Sequence, residues 1–490
     1  MLLQTSLTTP PKAMSIAVAV VVRPKPLPAV ASVSGWGWVS LAWLPPLLLL
    51  LSVGATGAAV AEGGAPVAPV VLIPGVAGSV LYYSDVISRL PLGVAWLRFF
   101  DDDYVVRKYM LVRYNETTML TETLNPSVFL DVATGDHGLD GISLLDPDDW
   151  LGVTSYFGAM IQALQGRGHV PGRTLFGMPY NWCDHNIFHA DALARLVERA
   201  FNASGGQKVH LVAHSMGNLP TKLYLALRPQ HASRYVASWT ALAAPFLGAG
   251  AVGLETVLQG RPQLPVFFLS KELDHALQVV APASYELLPA DDQRWGDAKA
   301  PSVAYQNATS GVWINVTMSA GFPALAAASL AHNSIVDPNT GRPVPLPFGW
   351  TQLSVAEDTV RRLVQAPLAH AFAFPYHGVV GTGTPTPLHM VFADPVADLA
   401  QLSKEASRYS FLPTDGDGVV PLHSSQADGF STGGGGTRTV YEVPTVGHFE
   451  LATDQRVVDL VTCLLDHHDH DHDPAHEGSP CVFAAKLNLM

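Results

Sequence analysis

Apolar and polar positions divide the chain into a few strongly periodic segments separated by irregular ones. VAPVVLIP (Val67–Pro74) is a continuous β-branched apolar run closed by Pro-Gly. A run with no alternating polar position reads as a strand buried on both faces. Over Ser155–Gln165, residues Phe157, Met160, Ile161 and Leu164 fall on one face and Gly166 follows, which predicts a helix. Asp191–Phe201 repeats the pattern with Leu193, Leu196, Val197 and Ala200. Val209–Ala213 is a second apolar strand, and a short turn joins it to a helical run over Leu219–Leu227. YVASWTALAAP (Tyr235–Pro245) is the next strand. Strand–helix alternation of this kind predicts an α/β fold, a mostly parallel sheet with helices on both faces. Ligand sites in such sheets lie at the carboxyl ends of the strands. The turn AHSMG (Ala213–Gly217) lies at one of them.

The alternation is interrupted twice. Residues 84–150 hold short apolar pieces and acidic turns, and 250–400 is Pro-rich and apolar, a cap or lid with embedded strands. Order returns in FLPTDGDGVVPLHS and TVYEVPTVGHFEL, two strand–loop units, followed by a final helix over Thr453–Leu465. At the other end, residues 1–65 read as a leader and linker. No acid precedes Glu62, and Lys12, Arg23 and Lys25 come before the apolar run Leu41–Val53. That run is shorter than the ~20 residues of a membrane span and is broken by Pro45-Pro46. With Ala59-Val60-Ala61 as a small-x-small cleavage site, it predicts a cleaved secretory signal; an uncleaved anchor and an organelle transit peptide are the alternatives. Sequons at Asn115, Asn202, Asn307 and Asn315 fit the secretory route. The expected layout is a leader over 1–65, one catalytic domain over 66–465 with insertions at 84–150 and 248–400, and a disordered His/Asp-rich tail over 466–490.

Composition sharpens this picture in three places. With 490 residues, 48% of them hydrophobic, the chain can bury a large core. A net charge of −13 with only 14% charged residues argues against nucleic-acid binding, which needs clustered Lys and Arg. The three cysteines, Cys183, Cys463 and Cys481, form no CxxC pair and permit at most one disulfide, Cys463 with Cys481 among the pairings. The tail histidines, His467, His468, His470, His472 and His476, read as a solvated low-complexity segment, so no metal site is expected.

The chemistry centres on AHSMG. A serine hydroxyl is a weak nucleophile until a neighbouring base takes its proton, and the base needs a carboxylate to orient it. On a strand-to-helix elbow the residues two positions either side of the serine must be small, because backbones approach there. Ala213 and Gly217 meet that need around Ser215. In such folds the acid and then the histidine follow in chain order. Asp417 in DGDGVVP and His448 in PTVGHFEL have that order and sit in loops. Asp415 is a rival acid in the same loop, and His214 and His423 are rival bases. An oxyanion hole needs two backbone N–H groups, one from the residue after the serine, Met216, and one from an early strand-end loop. PGVAGS (Pro74–Ser79) is that loop, with Val76 as donor.

These segments resemble the lecithin:cholesterol acyltransferase family, which includes lysosomal-type phospholipase A2 and phospholipid:diacylglycerol acyltransferases. PVVLIPGVAGSVL (69–81), LPLGVAW (90–96), FGMPYNW (176–182), LVAHSMGN (211–218), WTALAAPFLGA (239–249), TGTPTP (382–387), DGDGVVP (415–421) and GHFEL (447–451) carry the resemblance. It implies an α/β-hydrolase fold with Ser215 as nucleophile, Asp417 as acid and His448 as base, and with Val76 and Met216 as oxyanion donors. It also implies a membrane-binding segment within 84–150, where Leu90, Leu92, Trp96, Phe99 and Phe100 would meet lipid. A mobile lid would span 248–275, with Phe267 and Phe268 in its lipid-facing part. The implied activity is transfer of a fatty acyl group from a phospholipid, through a seryl ester, to a lipid alcohol or to water at a membrane surface, with no cofactor.

The sequence departs from the family at three points. Asn181 and Cys183 replace the Asp and Arg of the usual Pro-Tyr-Asp-Trp-Arg, which removes an internal charge contact. The cysteine pair that closes the membrane-binding loop of animal members is missing, and Val419 stands where Thr is frequent.

Overall fold

Six strands form the central sheet of the protein, seen here in a computed structural model: β1 (Val70–Ile73), β2 (Leu175–Gly177), β3 (Val209–His214), β4 (Val236–Leu242), β5 (Tyr376–Thr382) and β6 (Arg438–Pro444). The structure describes residues 67–98, 102–149, 151–260, 269–296 and 299–467, together with Cys481. The sheet order is β2-β1-β3-β4-β5-β6, and every pairing is parallel. Its central strands β1, β3 and β4 are buried at every position, the polar His210, His214, Ser238 and Thr240 among them, as strands covered on both faces are.

The periodic helices form close to their predicted bounds: α1 (Gly158–Gly166), α2 (Asn186–Ala203), α3 (Asn218–Leu227) and, at the chain's end, a helix over Gln455–His467. Helix α2 starts five residues earlier than Asp191 because Asn186–Ala190 adds a further buried turn. It packs on β1, β3 and α3, while Gln455–His467 packs on α1. A disulfide joins Cys463 of that last helix to Cys481.

The interruptions are more ordered than their pattern suggested. Around 84–150, Leu81–Asp85, which leads into it, joins Pro91–Trp96 and Val128–Val132 in a three-stranded antiparallel sheet, and Val112–Asn115 pairs with Leu120–Thr123. Within 250–400 lie helices α4 (Ala251–Gln259) and α5 (Lys271–Val280) and most of a second sheet, ordered Trp313–Thr317, Ser302–Gln306, Thr386–Phe392, Tyr409–Thr414. These strands are short and paired at long range, so local periodicity does not reveal them. No described helix is long and apolar enough to cross a membrane.

One expectation needs correction. Trp96 does not meet lipid: it is 2% exposed, donates its indole N–H to Ala77 O (2.8 Å) and packs edge-on to Trp182. Its strand runs from solvent into the core, and a tryptophan buries readily when its N–H finds an internal acceptor. Every residue of α4, which opens the 248–275 segment, is buried. Leu90 and Leu92 are exposed, 64% and 56%, beside Ile87 at 92%. Phe99, Phe100, Phe267 and Phe268, the leader over 1–65 and nearly all of the tail lie outside the described residues.

Candidate active site

The turn after β3 is shaped by its small residues. Ser215 has φ 53° and is 5% exposed, and the 215–217 turn leads directly into α3. A positive φ at a non-glycine residue is uncommon, and here it lifts the serine out of the strand direction. Gly217 permits the elbow to press on the β1 exit: a Cβ there would lie 2.4 Å from Pro74 O and 2.7 Å from Ile73 O. Across the contact, a Cβ on Gly75 would meet Ser215 Cβ at 2.8 Å. Asn218 closes the turn, donating from Nδ2 to the carbonyls of Ala213, Ser215 and Leu242 while its Oδ1 accepts from Trp239 Nε1.

Three loops converge on that serine. His448 follows β6 by four residues and sets Nε2 2.7 Å from Ser215 Oγ. Its Nδ1 is 2.8 Å from Asp417 Oδ2. Asp417 arrives from the second sheet, after Tyr409–Thr414, and is seated against the end of β5, where a Cβ on Gly381 would lie 2.7 Å from Asp417 Cβ. Its other oxygen accepts the N–H groups of Val419 (3.0 Å) and Val420 (2.7 Å). A carboxylate only accepts, so His448 carries its proton on Nδ1. Nε2 is then free to accept from the Ser215 hydroxyl.

The rivals are placed elsewhere. Asp415 Oδ1 accepts from the N–H groups of Gly383 (2.6 Å) and Gly416 (2.8 Å), which makes it a turn residue. His423 is exposed and lies against Trp295. His214 is buried next to the serine and bonds Tyr156 and the carbonyl of His448.

The β1 exit loop, 74–79, is fixed by aromatic side chains to which the sequence assigned no such role. Tyr180 Oη donates to Pro74 O (2.8 Å), Tyr156 Oη accepts from Gly75 N–H (2.9 Å), and Trp96 donates to Ala77 O. All three lie in or beside segments quoted above, but only the fold brings them to one loop. Met216 is buried and Val76 half-buried, each beside Ser215.

These groups open into a cavity of about 520 Å³. Its walls are mostly apolar, including Val76, Ala249, Val252, Leu287 and Phe449, with Thr256 and Glu450 among the polar exceptions. Helix α4 supplies one side. Among the described residues no lysine or arginine lines it. The cleft bordered by Arg113, Glu122 and Asp337 is lined by neither serine nor histidine.

The Asn181/Cys183 departure also has a structural outcome. Asn181 Nδ2 donates to Asp184 Oδ2 (2.8 Å), and Thr121 supplies two bonds to Asp184 Oδ1. Burial raises the Asp184 carboxyl, and it pushes the buried Cys183 thiol well up. Asn181 and Thr121 thus bond the Asp184 carboxyl beside the positions where the resemblance would place an Asp and an Arg.

The family pattern described as lecithin:cholesterol acyltransferase matches residues 94–337. The chain is 33% identical to lecithin-cholesterol acyltransferase-like 4 of Arabidopsis thaliana over 384 residues, covering 74% of this chain and 69% of that protein. It is 29% identical to phospholipase A(1) LCAT3 of the same plant, over 80% and 89% of the two chains. The human lysosomal phospholipase A and acyltransferase is 34% identical over 140 residues, 28% of this chain and 33% of that one. Among solved structures, the Tle4–Tli4 complex aligns at TM-score 0.51 and 14% identity, covering 84% of this chain and all of that one, a likeness of fold. The parallel sheet and the converging strand-end loops are those of an α/β-hydrolase, and the chain belongs to the lecithin:cholesterol acyltransferase family.

Proposed function

We propose that this protein transfers a fatty acyl group from a glycerophospholipid, through an ester on Ser215, to an alcohol. The observation that carries the reading is His448 held between Ser215 Oγ (2.7 Å) and Asp417 Oδ2 (2.8 Å). His448 Nε2 takes the serine proton as Oγ attacks the ester carbonyl, and Asp417 stabilises the imidazolium that forms. The tetrahedral oxyanion is met by the N–H groups of Met216 and Val76. Each such donor is worth roughly 10²–10³ in turnover. The imidazolium then protonates the leaving lysophospholipid oxygen, and the acyl-enzyme remains. An incoming alcohol gives its proton to His448, attacks the acyl carbonyl and regenerates Ser215. No cofactor enters these steps.

The apolar cavity beside Ser215 supports a fatty acyl chain as the transferred group. The resemblance to an acyltransferase-like protein over most of both chains supports an alcohol as acceptor. Water is the second reading, favoured by the resemblance to phospholipase A(1) LCAT3. Exposed Ile87, Leu90 and Leu92 support docking of 84–150 on a lipid surface. The Cys463–Cys481 disulfide and exposed Asn202 and Asn315 support a secretory route.

The test is incubation with a phospholipid labelled in its acyl chain plus a sterol, a diacylglycerol or a fatty alcohol, followed by chromatography. An acyl ester that depends on the added alcohol is expected. Free fatty acid alone, whatever the alcohol, would retire transfer in favour of hydrolysis.

A further inference from the structure

Two buried side chains outside the proposed triad join the loop before the oxyanion hole to the loop that carries the base. Gly75 N–H donates to Tyr156 Oη at 2.9 Å. Tyr156 Oη lies 2.5 Å from His214 Nδ1. His214 Nε2 lies 2.8 Å from the backbone carbonyl of His448. Each atom's chemistry fixes the direction of the chain. A carbonyl can only accept, so His214 Nε2 carries the proton. A neutral imidazole has one N–H, so Nδ1 is the acceptor and the tyrosine hydroxyl donates to it. Oη is then left with a lone pair for Gly75 N–H. The three bonds run one way, from Gly75 through Tyr156 and His214 to His448.

The neighbours hold this arrangement. Tyr156 and His214 are 2% and 3% exposed. Phe449 stacks on Tyr156 with ring centres 5.3 Å apart, and a Cβ on Gly78 would lie 2.7 Å from Tyr156 Cε1. Burial, and the neighbouring His448, press the His214 pKa down to about 3, against the pull of the His448 carbonyl and Asp417. The ring therefore stays neutral through the range in which such enzymes work. A charged His214 would present an N–H to the tyrosine hydroxyl and reverse that middle bond, so the three would no longer run one way.

We propose that Tyr156 and His214 are positioning residues, a one-way hydrogen-bond bridge that sets the 75–76 backbone and the His448 loop in mutual register around Ser215. The bridge takes up Gly75 N–H and so leaves the next amide, Val76, to face the oxyanion. At its other end it holds the His448 backbone while Asp417 orients the ring. A displacement of about 1 Å at either end costs on the order of 10²-fold in rate. The proposal rests on the reading of Ser215 and His448 as nucleophile and base.

The experiment uses the full chain as wild type, Tyr156→Phe, His214→Gln and the double variant. Phe removes only the hydroxyl. Gln keeps a donor near the His448 carbonyl and removes the ring acceptor. Four quantities are measured: thermal midpoint, fluorophosphonate labelling of Ser215, kcat and KM per labelled site on a phospholipid, and Ki for an alkyl boronic acid that mimics the tetrahedral state. Each single variant is expected to lose about 10- to 100-fold in kcat, with KM changed by less than about threefold. The boronic acid Ki should rise in proportion to the loss in kcat/KM. The double variant should be no worse than the weaker single, because both break one link.

Wild-type kcat in Tyr156→Phe, an unchanged boronic acid Ki, or losses that multiply in the double variant would each overturn the bridge. If His214→Gln fails to fold, Tyr156→Phe decides alone. Absence of Ser215 labelling in the wild type would instead reject the catalytic reading beneath it.

Discussion

Gly217 stands against the carbonyl of Pro74 so closely that one added methyl group would sit 2.4 Å from the oxygen. The small residue after the serine is a contact requirement between the elbow and the β1 exit, which also carries Val76. Gly217→Ala must therefore separate the two loops. Overpacking of this kind costs about 1–3 kcal/mol, so a lower thermal midpoint is expected, with fluorophosphonate labelling of Ser215 slowed at least tenfold. Ala213, which precedes the serine by two, already holds a Cβ and is fully buried without such a clash.

The two acids of DGDG should separate cleanly. Asp417 bonds His448, whereas Asp415 bonds only turn amides. Asp417→Asn is expected to lower kcat by roughly 10⁴-fold with the fold intact, since the amide leaves His448 in the wrong tautomer. Asp415→Asn should keep kcat within about tenfold and lower the thermal midpoint instead. Steady-state kinetics with circular dichroism on both variants checks this, and the reverse ranking would reassign the acid.

Lys222 gives the stability a pH dependence. It is fully buried in α3, lies over the Phe246 ring and donates to Val364 O. Burial lowers its pKa from 10.5 to about 7, against the pull of Asp428. Between those values the unfolded chain holds the extra proton, so stability rises with pH from about 7 to 10.5 and the penalty is complete below 7. Lys222→Met should stabilise by on the order of 1–4 kcal/mol below pH 7 and by less near pH 10. Melting curves across that range measure the slope, and a pH-independent difference would exclude this origin.

The cavity wall should set acyl-chain preference. Val252 is buried on α4 and borders the space beside Ser215. Val252→Phe is expected to reduce kcat/KM for long-chain donors about tenfold relative to short-chain esters. A uniform loss across chain lengths would place the acyl chain elsewhere.

Much of the frame was legible in the chain itself. The runs at Val67–Pro74, Val209–Ala213 and Tyr235–Pro245 are apolar but for His210, Ser238 and Thr240, the pattern of a strand covered on both faces. They became β1, β3 and β4, and the helices between them kept their apolar stripes. The order Ser215, Asp417, His448 was also readable, because small residues and turn signals surround each.

Long-range contact decided the rest. Nothing local distinguishes Asp417 from Asp415; the distinction is that Asp417 meets the end of β5 and the His448 loop, and only the assembled sheet brings those together. The family resemblance placed Trp96 with Leu90 and Leu92 as a residue to meet lipid, yet its strand dives into the core where Ala77 O accepts its N–H. Tyr156 fell, with no role, inside the helix expected over Ser155–Gln165 until the fold set it between Gly75 and His214. Periodicity reports which face of an element is buried, a property of a few neighbouring residues. Which groups then touch depends on pairs as far apart as Ser215 and His448, separated by 233 positions, and those contacts exist only when the whole sheet has closed.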